Sequence, residues 1–295
     1  MKKRVFYILD VFAEQKYAGN QLAVIRDATE LTSDEMQLLT REMNYSESTF
    51  VLSDREREGG YDVRIFTPGE EVPFAGHPTL GTAFIVQQEV IQQPVEQVIL
   101  NLKVGQIPVR FTYRDDKPDV LWMKQVQPEF WQTIEPSVMA ELLQIDENDI
   151  DISFPIQEVS TGLPFMIVPL KSLDAVRRAR PDTRQLLKFV ESYTAKNVLV
   201  FAPETYSTDN QLNARVFTDY LGIPEDPATG SANGCLAGYL VKYRYFGEPQ
   251  VQVRVEQGYE MGRPSLLLLD AREENGGINI RVGGKVILVA KGELE

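Results

Sequence analysis

The chain has 295 residues, of which 43% are hydrophobic and 25% charged, with 43 acidic residues against 30 basic and a net charge of −13. Such a length fits two ordinary domains at about 150 residues each, and the acidity gives solubility while arguing against a nucleic-acid partner, because it repels phosphate backbones. A single cysteine, Cys235, and a single histidine, His77, exclude an internal disulfide and any metal site built on two or three histidines.

The N-terminus, MKKRVFYILDVFAEQ, starts basic and turns apolar, but Asp10 interrupts the run and no small-residue cleavage site follows. It reads as a first strand, with no membrane span and with a lone thiol that suits the cytoplasm. Period-2 alternation and β-branched content predict further strands over 21–25, 48–52, 61–66, 97–102 and 107–113. Asp115-Asp116-Lys117-Pro118 breaks this pattern, and a linker is expected near 115–135. In the second half, strands are predicted around 157–170 and over 197–202, 213–218, 251–258, 265–271, 278–284 and 285–292. Helices are fewer: 32–43 behind the capping sequence Thr32-Ser33-Asp34-Glu35, then 78–89, 136–145, 182–194 and 228–243. Many short strands with few helices indicate an α+β fold.

A repeat organises the chain. Arg64-Ile65-Phe66-Thr67 matches Arg215-Val216-Phe217-Thr218 at an offset of 151. His77-Pro78-x-x-Gly81-Thr82-Ala83 matches Asp226-Pro227-x-x-Gly230-Ser231-Ala232 at an offset of 149. A weaker echo pairs Gly19–Ile25 with Gly162–Val168. Strand, loop and helix therefore recur once per half, as in an ancient duplication. We expect an N-terminal half-domain over 1–120, joined by the final strand 285–295, and a C-terminal half-domain over 130–284.

In both copies a polar residue precedes a proline where a helix is expected to begin, since proline is tolerated in a first turn. The free N–H groups there, beside small residues, suit an anion such as a small carboxylate. Two such starts related by pseudo-symmetry would address one cleft. Two ordinary, capped helix starts would give the same pattern. His77 is the side chain whose unperturbed pKa lies near neutrality, though a satisfied core histidine reads the same. Asp226 fits an N-cap, Ser231 a small helix residue, and Cys235 a buried hydrophobe. No G-x-G-x-x-G or P-loop supports a nucleotide cofactor.

The segments 9–25, 46–52, 64–83, 160–165 and 215–240, above all Phe74-Ala75-Gly76-His77-Pro78-Thr79-Leu80-Gly81-Thr82-Ala83 and Asp226-Pro227-Ala228-Thr229-Gly230-Ser231-Ala232, resemble the PhzF-like family of phenazine-biosynthesis isomerases throughout. Gln21 is a departure: many relatives have proline there. The resemblance implies a diaminopimelate epimerase-like fold of two pseudo-symmetric domains, each a barrel-like, mostly antiparallel sheet around a central helix. It also implies a homodimer that needs no cofactor and no metal, and a small-molecule carboxylate substrate. By the same resemblance, Glu47 of Ser46-Glu47-Ser48 is the acid–base that moves a proton between ring carbons. His77, Asp226 and Ser231 contact the substrate, and Gly76 and Gly230 supply backbone groups. The epimerase carries a cysteine at each helix start. This chain has none there, so a two-thiol racemisation is chemically unavailable to it. Two other readings stay open: a metabolite- or partner-binding protein on the same scaffold, and a hydrolase using Ser231 with His77, although no nucleophile-elbow sequence surrounds Ser231.

Overall fold

A computed structural model describes residues 3–295. The chain divides into two compact units, 1–123 with 283–295, and 124–282. The N-terminal unit begins with β1 (Arg4–Val11), β2 (Asn20–Ile25), α1 (Ser33–Met43), β3 (Ser48–Val51), β4 (Tyr61–Phe66) and β5 (Glu71–Val72). It continues with α2 (Gly76–Ile85), β6 (Gln97–Leu102), β7 (Gly105–Arg114) and β8 (Lys117–Lys124). The C-terminal unit runs through β9 (Glu129–Ile134), α3 (Pro136–Leu143), β10 (Ile156–Ser160), β11 (Pro164–Pro169), α4 (Leu173–Arg178), α5 (Thr183–Val190) and β12 (Asn197–Ala202). There follow β13 (Leu212–Thr218), β14 (Ile223–Asp226), α6 (Gly230–Lys242), β15 (Gln250–Gln257), β16 (Ser265–Glu274) and β17 (Gly277–Gly284). Strand β18 (Val286–Leu294) returns to pair with β1.

The expected linker near 115–135 is instead two strands and a tight turn. Asp115 and Asp116 both take left-handed backbone angles, at φ 50° and 59°, and form the two-residue turn between β7 and β8. Short Asp side chains tolerate that conformation, and its twist matches the flanking strands.

The two units repeat one pairing scheme. In the N-terminal unit β1 pairs antiparallel with β2, β2 parallel with β3, β3 antiparallel with β4, and β4 antiparallel with β5 and parallel with β6. In the C-terminal unit β10, β11, β12, β13, β14 and β15 repeat those relations in the same order. The weak echo between Gly19–Ile25 and Gly162–Val168 thus marks β2 and β11, which hold the same place. A parallel pair needs a crossover, usually helical. Helix α1 and helices α4 and α5 make the first crossover in each unit, and α2 and α6 make the second.

The two kinds of crossover helix are built differently. Helix α1 is amphipathic and lays Met36 and Leu39 on Ala23, Ile25, Phe50 and Phe66. It is closed at its start by a capping box in which Thr32 and Glu35 satisfy each other's main chain. Helices α2 and α6 are buried on nearly every side, the pattern of a helix enclosed by its own domain. Helix α2 packs on β1, β2, β3, β6, β7 and β18. At Gly81 an added Cβ would come within 2.5 Å of Leu22 and 3.0 Å of Val11, so only glycine admits this approach of helix to sheet. Among the described residues, no helix is long and apolar enough to cross a membrane.

One ion pair is duplicated with the fold. Arg64 on β4 forks onto Glu71 of β5 at 2.8 and 2.7 Å, and Arg215 on β13 forks onto Glu225 of β14 at 2.9 Å twice. Each guanidinium also covers the phenylalanine two residues on, at 5.0 Å from Phe66 and 4.8 Å from Phe217. The bidentate geometry pins the short strand that leads toward α2 or α6.

Candidate active site

In the N-terminal unit the candidate residues meet. Glu47 lies in the loop immediately before β3, and His77 is the second residue of α2. Their side chains approach with Glu47 Oε2 3.5 Å from His77 Nε2. Helix and strand are tied one turn further along, where Thr82 Oγ1 donates to Thr49 Oγ1 at 2.7 Å while also reaching the Pro78 carbonyl. This buried link fixes Glu47 relative to the imidazole.

Burial pushes the His77 pKa down to about 3, against the smaller opposing effect of a hydrogen bond to the Gln21 main chain. The ring is 5% exposed and neutral at neutral pH. Its contact with Glu47 is therefore a carboxyl group beside a neutral imidazole, not an ion pair. Desolvation, not the ordinary imidazole pKa, sets the protonation state of this ring. Nε2 makes no hydrogen bond among the described residues, so the bond to Gln21 falls to the other ring nitrogen and Nε2 is left as the acceptor. Gln21 itself sits in β2 and contributes its main chain. The departure from proline at this position thus leaves the contact intact.

Gly76 opens α2, and Ala75 ahead of it offers no side-chain cap. The first-turn N–H groups are available to an anion, as the Ala-Gly-His-Pro sequence suggests.

In the C-terminal unit the correspondence is looser. Asp226 and Pro227 do not begin a helix: Asp226 ends β14, and α6 starts at Gly230. The helix start expected at Asp226-Pro227 is corrected by one turn. Asp226 is still paired with Val216 of β13, and Thr229, directly before α6, gives its hydroxyl to Asp226 Oδ2 and makes no side-chain cap on the helix. Gly230 is buried and Ser231, in the first turn, half-buried. Cys235 lies well inside α6, fully buried, with its Sγ 3.6 Å from Thr161 Oγ1, and burial pushes its thiol up to about 12. It is a protonated core residue and stands at neither helix start.

An open cavity of about 780 Å³ in the C-terminal unit is lined by Arg177, Arg180, Arg215, Tyr206 and Tyr259 among others, and by none of the candidate residues. Two of its arginines are paired: Arg215 is held by Glu225 and by the carbonyls of Val176, Arg177 and Ala179, and Arg178 by Asp149 and Asp174.

One residue escaped the sequence reading. Lys196 immediately precedes β12, the place Glu47 holds before β3. Its Nζ is bound by the carbonyls of Val190 at 2.5 Å and Tyr193 at 2.7 Å. The 149-residue offset of the repeat relates the two positions and would have found it.

The fold belongs to the diaminopimelate epimerase-like class of α+β proteins, in which it matches a hydroxyproline epimerase from Agrobacterium vitis with a TM-score of 0.63 at 10% identity, over all of this chain and 91% of that one. Within that class the family is specific. Residues 9–292 match the model of the phenazine biosynthesis-like proteins, and the chain belongs to this family. It is 35% identical to the trans-2,3-dihydro-3-hydroxyanthranilate isomerase of Pseudomonas aeruginosa, over 92% of this chain and 91% of the relative. It superposes on the crystal structure of a PhzF-family phenazine biosynthesis protein from Bacillus anthracis with a TM-score of 0.91 at 26% identity, over the whole of both chains. The chain is thus a member of a family of isomerases.

Proposed function

We propose that this isomerase moves a proton between two carbons of a small cyclic or conjugated carboxylic acid, with Glu47 as both base and acid. The observation that carries the reading is the approach of Glu47 Oε2 to within 3.5 Å of the buried imidazole of His77. Taking a proton from carbon needs a carboxylate held close and sheltered from water. As Glu47 takes the proton, the C–H electron pair passes into the conjugated system and toward the substrate carboxylate. Glu47 then returns the proton to a different carbon, so no electrons, metal or co-reactant are needed. The neutral Nε2 can accept a hydrogen bond from the protonated Glu47 or from an N–H or O–H of the substrate. The N–H groups of the α2 first turn suit charge that builds up on a carboxylate. Asp226, Gly230 and Ser231 are the substrate-contacting set of the C-terminal unit in this reading, as Gly76 and His77 are of the N-terminal one.

The test is deuterium incorporation. Trans-2,3-dihydro-3-hydroxyanthranilate, the compound named by the Pseudomonas relative, is incubated in D₂O with the wild-type protein and with Glu47→Gln. Deuterium at carbon with the wild type alone is the expected result. Equal incorporation by both proteins, or none with this compound and a panel of unsaturated amino and hydroxy acids, would sink the proposal.

A further inference from the structure

In the N-terminal unit, ordinary helical bonds hold the residue before the proline. Thr79 returns both its N–H (3.3 Å) and its hydroxyl (2.7 Å) to the Ala75 carbonyl, and His77 sits inside that turn. In the C-terminal unit, residues 226–229 lie ahead of the helix and have no such turn. Asp226 is paired with Val216 of β13, and a side chain from another strand bridges it to Thr229. Gln257, at the end of β15, is 0% exposed. Its Nε2 donates to the Asp226 carbonyl at 2.7 Å and to Thr229 Oγ1 at 3.2 Å. Its Oε1 accepts from the Thr229 N–H at 3.3 Å and from Asn233 Nδ2 at 2.9 Å. Asn233 Nδ2 also reaches the Thr229 carbonyl at 3.1 Å.

These partners decide which end of the amide is which. A main-chain N–H can only donate and a carbonyl can only accept, so the oxygen faces Thr229 N and the nitrogen faces Asp226 O. Both amide hydrogens and both acceptor sites are used. The consequence falls on Thr229. A hydroxyl can point its hydrogen in several directions, and here its lone pair is taken by Gln257 Nε2, which leaves its hydrogen for Asp226 Oδ2.

We propose that Gln257 is a positioning residue for Asp226: it replaces the missing helical turn of 226–229 and orients the Thr229 hydroxyl as a donor to the Asp226 carboxylate. Its importance to turnover rests on Asp226 contacting the substrate. The orientation itself does not.

Two measurements separate these points. The first is the ¹³Cγ signal of Asp226 at pH 7 in protein labelled at Asp, assigned by its disappearance in Asp226→Asn. The second is kcat and KM on trans-2,3-dihydro-3-hydroxyanthranilate. Gln257→Glu keeps the size of the side chain but puts an acceptor where the donor was, which turns the Thr229 hydroxyl away from Asp226. Thr229→Val removes the hydroxyl, and Thr229→Ser keeps it. Gln257→Glu and Thr229→Val are expected to move the Asp226 signal and to lower kcat/KM by about 10- to 100-fold through misplacement, with Tm within a few degrees of the wild type. Thr229→Ser is expected to behave as the wild type in both. If Gln257→Glu fails to fold, Thr229→Val against Thr229→Ser decides alone. An Asp226 signal unmoved by Gln257→Glu, or by Thr229→Val where that variant decides, overturns the inference. A moved signal with unchanged kcat/KM upholds the orientation and overturns the substrate role of Asp226.

Discussion

The two units share one strand order, one set of parallel crossovers and one duplicated arginine–glutamate fork, yet they differ where the chemistry is expected. Before β3 stands Glu47, close to a buried imidazole; before β12 stands Lys196, consumed by main-chain carbonyls. The first turn of α2 carries His77 as a helical residue, whereas Asp226 lies on a non-helical segment held by Gln257. Duplication kept what packs the core and fixes strand register, and let go of what does not. The lesson is that matching sequence positions in a repeat need not match in local structure. His77 and Asp226 align with each other but are held by different means.

The sharpest way to break this comparison is to exchange the demands on its two sides. Glu47→Gln removes a carboxylate that approaches the imidazole, and turnover should fall by about 100- to 10,000-fold, the usual worth of a positioned acid–base group, with Tm unchanged. Lys196→Met removes the equivalent side chain of the other unit. It should leave turnover intact and lower stability by about 1 kcal/mol through the carbonyls it abandons. Steady-state kinetics and thermal melts on both variants decide. Equal losses of turnover would end the claim that the two positions have diverged.

The duplicated fork gives a second contrast, in stability. The Arg215 side chain is 8% exposed and that of Arg64 is 24%. Glu225→Gln leaves a buried guanidinium without its counter-charge and should cost about 3 kcal/mol. Glu71→Gln leaves a better-hydrated one and should cost about 1 kcal/mol. In Glu71 the neighbouring Arg64 holds the carboxyl below its ordinary range, which fits a pair that is real but wetter. Urea midpoints of the two variants measure the difference; a larger loss at Glu71 would reverse the ordering that burial implies.

His77 gives the next effect, and it depends on pH. Its folded pKa is lowered from 6.5 to about 3, so the unfolded chain binds its proton first as pH falls. The stability this residue contributes is fully present above about pH 6.5 and is lost as pH drops toward 3, at about 1.4 kcal/mol per pH unit for one proton. His77→Asn should flatten the acid limb of Tm between pH 6 and 4 relative to the wild type. Parallel limbs would mean that the ring is hydrated and charged.

Much of this architecture was legible beforehand, for identifiable reasons. Strand alternation and the capping sequence before α1 act locally, so periodicity placed them. The repeat was legible because core packing tolerates little drift: Gly81 and Gly230 are still in register. Asp115-Asp116 interrupts the strand pattern in sequence, and periodicity alone does not distinguish a two-residue turn with left-handed backbone from a linker. The start of α6 was misplaced because a proline after a polar residue suits either a helix start or a loop. The loop is held by contacts that no local pattern contains, the pairing of Asp226 with Val216 of β13 and the bonds of Gln257 to Asp226 and Thr229. The neutrality of His77 was invisible for the same reason, since burial comes from the whole unit.

The smallest effect tests the one residue type most easily over-read. Cys235 sits in α6 at the place Val86 holds beyond α2 by the 149-residue offset, and both are fully buried. An apolar residue in one unit and a thiol in the other, at one packing position, mark the thiol as a small hydrophobe. Burial keeps it protonated, with a pKa pushed up to about 12, and its contacts are Thr161 Oγ1 and the Leu163 carbonyl. Cys235→Ala should cost about 1 kcal/mol for the atom removed, leave turnover within twofold of the wild type, and remove the one site at which a thiol reagent should label the unfolded chain. A Cys235→Ala enzyme that has lost turnover while keeping its Tm would place the thiol in the chemistry and undo the assignment of acid–base work to Glu47 alone.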